Sequence, residues 1–125
     1  MGRGAPKTVL LVEDEVLISN LVAEALSERG FTVHEVTTAD AALRYIDSGA
    51  DLDVLFTDIN LPGRMNGAEL AERARKLRPD LPIVYASGRY LATDIGALVP
   101  RSIFVPKPYD LTDVGQLLTR LTEFQ

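Results

Sequence analysis

The apolar positions of this chain fall into short runs separated by longer stretches with helical spacing. Thr8-Val9-Leu10-Leu11-Val12, Val54-Leu55-Phe56-Thr57, Ile83-Val84-Tyr85-Ala86 and Ile103-Phe104-Val105 are too short for helices and rich in β-branched or aromatic residues, so they read as strands. Phe31-Thr32-Val33-His34-Glu35-Val36 mixes polar with apolar residues, as an edge strand does. Between the runs the period changes. Leu17, Leu21, Val22, Ala25 and Leu26 recur at helical spacing, and Gly30 offers a C-terminal cap. Asn66 with Glu69 predicts a capping box, and Asp110 with Asp113 a similar start to the last helix. The predicted order is strand 7–12, helix 15–29, strand 31–36, helix 39–48, strand 53–57, helix 67–77, strand 82–86, a weak helix over 90–98, strand 102–105 and helix 111–123.

Five strand–helix units in succession call for a parallel sheet covered on both faces, because each right-handed crossover returns the chain to the same edge. The fold class is therefore α/β, a doubly wound (βα)5 sheet with the flavodoxin-like strand order 2-1-3-4-5. The first and third runs are almost wholly apolar, as central parallel strands buried on both sides should be. Residues 1–6, Gly-rich, are expected to be a flexible leader, and 7–125 one domain; no repeat, linker or output domain is visible within the chain.

Composition narrows the function. The 125 residues are 46% hydrophobic and carry a net charge of -5, enough for one core and wrong in sign for a nucleic-acid footprint. Cysteine is absent, which removes disulfides, thiolate catalysis and Cys-based zinc sites together. No apolar stretch approaches the roughly 20 residues of a membrane span, no signal-peptide pattern is present, and Pro6 stands where a myristoylation motif wants Ser or Thr. The expectation is a cytoplasmic protein with no membrane insertion and no nucleic-acid partner, a monomer or weak dimer.

The chemistry gathers where the strands end. The first strand delivers Glu13-Asp14-Glu15, the third Asp58, the fourth Ser87-Gly88-Arg89 and the fifth Lys107-Pro108. In open α/β sheets ligands bind outside the carboxyl ends of the strands. Three carboxylates, Glu13, Asp14 and Asp58, would converge there, which is unfavourable unless cations sit among them. Lys107 supplies one charge, and hard oxygen donors select Mg²⁺ or Mn²⁺ for the rest. A neutralised cluster lets a nucleophilic carboxylate approach a phosphoryl group, with Ser87 and Lys107 placed to bind its oxygens.

These fragments together resemble the response-regulator receiver domain of two-component signalling, over essentially Lys7 to Glu123. The match is carried by Val9-Leu10-Leu11-Val12-Glu13-Asp14-Glu15, Asp58-Ile59-Asn60-Leu61-Pro62, Asn66-Gly67, Ser87-Gly88, Phe104 three residues before the lysine, and Lys107-Pro108-Tyr109. The likeness extends to free-standing, chemotaxis-regulator-like receivers and to the terminal receivers of hybrid histidine kinases. It implies that Asp58 accepts a phosphoryl group from a phosphohistidine on a sensor histidine kinase or histidine phosphotransfer protein. It further implies that Asp14 and Asp58 ligate Mg²⁺ directly, Glu13 acts largely through water, and the Asn60 carbonyl completes the protein ligands. The Lys107-Pro108 bond would be cis. Ser87 would move toward the phosphoryl group while Phe104 rotates, altering the face of the fourth helix, fifth strand and last helix for a downstream protein. On this reading the protein is not an enzyme beyond slow self-dephosphorylation.

Three departures stand out: Glu13-Asp14 replaces the commoner Asp-Asp, Gly63-Arg64 lengthens the loop after Asp58 by one residue, and Phe104 lacks the hydroxyl of the frequent Tyr. Asn60 and Arg89 occupy positions that in this family tune the phosphoryl lifetime. The alternative function is a phosphorylation-independent adaptor, and its warrant would be the loss of a site residue. A flavodoxin-type carrier is opposed by Glu13-Asp14-Glu15, which would repel a flavin phosphate, and an aspartyl phosphatase by Asn60, where a second Asp is wanted. His34, the sole histidine, is read as structural, and Tyr85, Tyr90 and Tyr109 as packing residues, the last two beside the output face.

Overall fold

The computed structural model describes residues 6–88 and 99–123. The elements are β1 (Thr8–Val12), α1 (Val16–Glu28), β2 (Thr32–Val36), α2 (Ala39–Asp47), β3 (Val54–Asp58), α3 (Gly67–Leu77), β4 (Ile83–Ser87), β5 (Ser102–Pro106) and α4 (Leu111–Thr122). All strand pairs are parallel, in the order β2-β1-β3-β4-β5 expected from the pattern. The expected helix over 90–98, together with Arg89, Tyr90 and most of the leader, lies outside the described residues.

Alternate side chains of the central strands go to opposite faces, and each face acquires its own core. Leu10, Val12, Leu55, Ile83 and Tyr85 pack with Ala39, Ala42 and Ile46 of α2 and Leu70, Ala71 and Ala74 of α3. Val9, Leu11, Val54, Phe56, Val84 and Ala86 pack with Val22, Ala23 and Leu26 of α1 and Val114 and Leu118 of α4. Full burial of each large apolar side chain contributes about 1.5–3 kcal/mol, so the middle of the sheet is the rigid part. A rigid centre is what holds strand ends in place.

Local signals explain the boundaries. Asn66 and Glu69 form a reciprocal capping box at the start of α3, with bonds of 2.9 and 3.1 Å. Asp110 caps α4 by accepting from the backbone N–H of Thr112 and Asp113, without a return bond from Asp113. Gly30, at φ 97°, takes the left-handed conformation that ends α1. β3, β4 and β5 each run one residue further than predicted, to Asp58, Ser87 and Pro106. In α1 the helical pattern does not mark one buried face: Val22 and Leu26 are inside, but Leu17 and Leu21 are 80% and 61% exposed. The buried polar residue of that helix is Ser19, whose hydroxyl donates to Glu35 on the edge strand β2 at 2.7 Å. Among the described residues no helix is long and apolar enough to cross a membrane.

Candidate functional site

The C-terminal ends of β1, β3, β4 and β5 meet on one rim. Register puts Val12 opposite Thr57, Asp58 opposite Ala86 and Ser87 opposite Pro106. Backbone bonds continue beyond the regular strands: Glu13 N–H to the Val36 carbonyl (3.1 Å), Ile59 N–H to Ala86 (2.9 Å) and Lys107 N–H to Ser87 (3.0 Å). Glu13, Asp58, Ser87 and Lys107 therefore stand on fixed backbone.

Their side chains converge. Lys107 Nζ donates to Asp58 Oδ2 at 2.9 Å and to Glu13 Oε1 at 3.3 Å. The other Asp58 oxygen, Oδ1, accepts from the Asn60 backbone N–H at 3.3 Å, and Glu13 Oε2 from that of Glu15 at 3.1 Å. Asn60 Nδ2 donates to Ser87 Oγ at 3.2 Å. The Lys107–Pro108 peptide is cis. Phe104, on β5 opposite Tyr85, is half-buried against the α2/α3 core. Around Asp58 lies an open hollow of about 450 Å³, lined by Asp14, Glu15, Asp58, Asn60, Gly88 and Lys107.

The electrostatics of this rim are those of a site short of positive charge. Burial pushes the Glu13 carboxyl above its usual range, more than the Glu15 N–H and Lys107 can pull it down. For Lys107 burial works against the charge, but the hydrogen bond and charge of Asp58, followed by those of Glu13, outweigh it, and the ammonium is held above its ordinary range. Glu13, Asp14 and Asp58 each offer a carboxylate oxygen, all within 4.8 Å of one another. One ammonium among three carboxylates leaves room for a divalent cation, and an all-oxygen donor set suits a hard one. The residues present fit the expected Mg²⁺.

Two supporting roles were not read from the sequence. Thr57, fully buried, donates its hydroxyl to the Asp58 carbonyl at 2.9 Å. Gly67 gives its N–H to the Ile59 carbonyl at 2.8 Å and lies so close to the end of β3 that a Cβ there would stand 2.9 Å from both the Asp58 carbonyl carbon and Ile59 Cα. Asn66-Gly67 was a readable motif, but only the fold reveals what the glycine touches. Beside the acidic hollow runs an apolar one of about 490 Å³, lined by Ile18, Leu21, Val22, Pro108, Tyr109 and Leu111 among others, and Val16 and Leu17 on the same helix are exposed. A larger hollow lies at the opposite end of the strands, around Leu52, Arg78, Pro82 and Arg101, and among the described residues no cluster of carboxylates with ligand geometry lies there.

Comparison with known proteins gives a consistent answer. The family described as response regulator receiver domain matches residues 9–119. The chain is 33% identical over 122 residues to the sensor kinase CckA of Brucella abortus, an alignment covering 94% of this chain and 13% of that protein. A response regulator receiver protein from Sinorhizobium medicae superimposes with a TM-score of 0.88 at 31% identity, covering 95% of this chain and 96% of that one. The response regulator TrrA of Thermotoga maritima, solved with Mg²⁺ and BeF, gives a TM-score of 0.81 at 27% identity, over 92% and 98% of the two chains. The curated relatives are longer: the chain spans 13% of CckA and 48% of the regulatory protein TcrA of Mycobacterium tuberculosis.

Proposed function

The chain belongs to the response regulator receiver domain family, and from that premise we propose that it accepts a phosphoryl group on Asp58. The observation that carries the reading is the Asp58 carboxylate, largely buried at the end of β3 and held at 2.9 Å by Lys107 within an acidic cluster. Asp58 attacks the phosphorus of a phosphohistidine; the N–P bond breaks, its electron pair returns to the imidazole, and an O–P bond forms on the carboxylate. Asp14 and Asp58, with the Asn60 carbonyl by the family resemblance, would hold Mg²⁺ or Mn²⁺, with Glu13 acting largely through water, and the ion would supply charge neutralisation. Lys107, charged through the neutral pH range, stays on the acceptor and binds a phosphoryl oxygen as charge develops. Ser87 binds another, and Phe104 shifts with it to alter the β5–α4 side for a downstream protein. The protein is a stoichiometric acceptor and not a turnover catalyst, and it works in the cytoplasm.

The donor is a sensor histidine kinase or histidine phosphotransfer protein. It docks over Val16, Leu17 and Leu21, whose apolar side chains are exposed on the helix that directly follows Glu13-Asp14-Glu15. Leu17→Lys should slow transfer from a phosphohistidine donor while leaving acetyl phosphate labelling in place; equal slowing of both would remove α1 from the docking surface. The acceptor is tested by intact-protein mass after incubation with Mg²⁺ and acetyl phosphate, beside Asp58→Asn. One added phosphoryl group, lost in the variant, is expected. Undiminished labelling of the variant would move the acceptor elsewhere, and no labelling of the wild type, with BeF₃⁻ also failing to bind, would favour the phosphorylation-independent adaptor.

A further inference from the structure

Asn60 touches both partners of the proposed chemistry through different atoms. Its backbone N–H is aimed at Asp58 Oδ1 (3.3 Å), while its side-chain Nδ2 donates to Ser87 Oγ (3.2 Å). Ser87 is 1% exposed and does not line the hollow in front of Asp58, whereas Asn60 does. The carboxamide thus ties the buried hydroxyl to a residue at the rim. In contrast to the backbone bonds that fix the strand ends, this tie links two side chains and can be exchanged by rotation about single bonds.

We propose that the Asn60 carboxamide is a latch on Ser87: it holds the hydroxyl in the resting position, and a phosphoryl group on Asp58 must take Ser87 away from it. The inference rests on Asp58 being the acceptor. It assigns the Asn60 side chain a positioning role that is separate from any part its backbone carbonyl takes in holding the metal. The latch sets how readily the domain enters its phosphorylated arrangement. Because a neutral hydrogen bond has a modest net worth, releasing it should favour that arrangement roughly two- to tenfold.

The test is the affinity for BeF₃⁻, a phosphoryl mimic, at saturating Mg²⁺, measured by calorimetry on wild type, Asn60→Ala, Ser87→Ala and the double variant. Asn60→Ala should bind BeF₃⁻ roughly two- to tenfold more tightly than wild type, and the gain should vanish when Ser87 is already Ala. Loss of affinity in Asn60→Ala, or a gain that persists without the Ser87 hydroxyl, would overturn the latch while leaving the acceptor reading intact. Failure of the wild type to bind BeF₃⁻ would strike that reading instead. Asn60→Leu, close in shape and unable to donate, is the second variant should Asn60→Ala fail to fold, and the same cycle applies to it.

Discussion

Gly67→Ala is the smallest substitution that should disable the site, and its effect can be worked from contact distances. A Cβ on Gly67 would meet the Asp58 carbonyl carbon and Ile59 Cα at 2.9 Å and the Asp58 carbonyl oxygen closer still. Carbon atoms pack at about 3.5–4.0 Å, so the end of β3 and the start of α3 must separate by at least about 0.6 Å. Neither side yields readily. The Asp58 carbonyl is backbone, it accepts from Thr57 Oγ1, and Ile59 N–H is bonded across to Ala86. The start of α3 is locked by the Asn66–Glu69 capping box. Forcing one methyl group into such a contact costs typically about 1–3 kcal/mol. The displacement falls on the proposed acceptor itself, where a misplacement near 1 Å is worth on the order of 100-fold in rate. Urea unfolding and the initial rate of labelling by acetyl phosphate with Mg²⁺ read the two effects separately. Gly115→Ala is the control. Its Cβ would also meet a neighbour too closely, Arg29 with Nε at 2.7 Å, but that neighbour is the far end of a flexible side chain that can swing away. Helix propensity then favours alanine by up to about 1 kcal/mol, so Gly115→Ala should be neutral or stabilising. Wild-type stability and labelling in Gly67→Ala, or a larger loss in Gly115→Ala, would refute the claim that the rigidity of the struck atom decides the outcome.

Two further outcomes can be checked with purified protein. Lys107→Ala leaves the buried Glu13 carboxylate without its cation, so at neutral pH and without divalent metal it should lose about 1–3 kcal/mol in urea unfolding, a loss that Mg²⁺ should partly restore; an unchanged midpoint would remove the lysine from the charge balance. Burial raises the phenols of Tyr85 and Tyr109, for Tyr109 against the pull of Lys107. The folded state therefore keeps protons that the unfolded chain releases from about pH 10 upward, and stability falls as pH rises through that window. Tyr109→Phe should flatten the alkaline fall in unfolding free energy, and phenolate absorbance should show fewer late-titrating groups; an unaltered slope would mean that Tyr109 ionises as freely in the fold as out of it.

Sheet order was legible because β1 and β3 are almost wholly apolar up to their ends while β2 is mixed, a difference that burial on two faces requires. The strand ends were read one residue short because Asp58 and Ser87 look like loop residues, yet the ladder pairs Asp58 with Ala86 and Ser87 with Pro106. A polar side chain completes a buried strand when it faces a hollow at the strand's end. The candidate site was readable for the same reason: strand ends collect its residues, so their order along the chain stands in for their positions in space. What could not be read depends on contacts between distant segments. Ser19 is buried because Glu35 accepts its hydroxyl, Gly67 is required because α3 starts against the carbonyl of Asp58, and Leu17 and Leu21 keep helical spacing while facing away from the core. Periodicity reports that a face exists, and the neighbouring elements decide what covers it.

The site divides into parts that cannot move cheaply and parts that can. Glu13, Asp58 and Lys107 stand on residues whose backbone N–H groups or immediate neighbours are bonded to adjoining strands, and Lys107 joins two carboxylates by charged contacts of 2.9 and 3.3 Å. Charge-assisted bonds between largely buried groups are costly to break. The Asn60–Ser87 contact is neutral and joins side chains alone. A new dianionic group at Asp58 therefore meets fixed charges that it cannot rearrange and one hydroxyl that it can. Since a ligand shifts an equilibrium only by its differential affinity for the two arrangements, the discriminating contact has to lie among the movable groups. The side-chain contact at Ser87 meets that requirement, and it lies on β4, paired directly with the strand that carries Phe104. On the proposed reading, a rigid acceptor at Asp58 beside an adjustable hydroxyl on β4 is the arrangement through which a change of charge would reach the strand that carries Phe104.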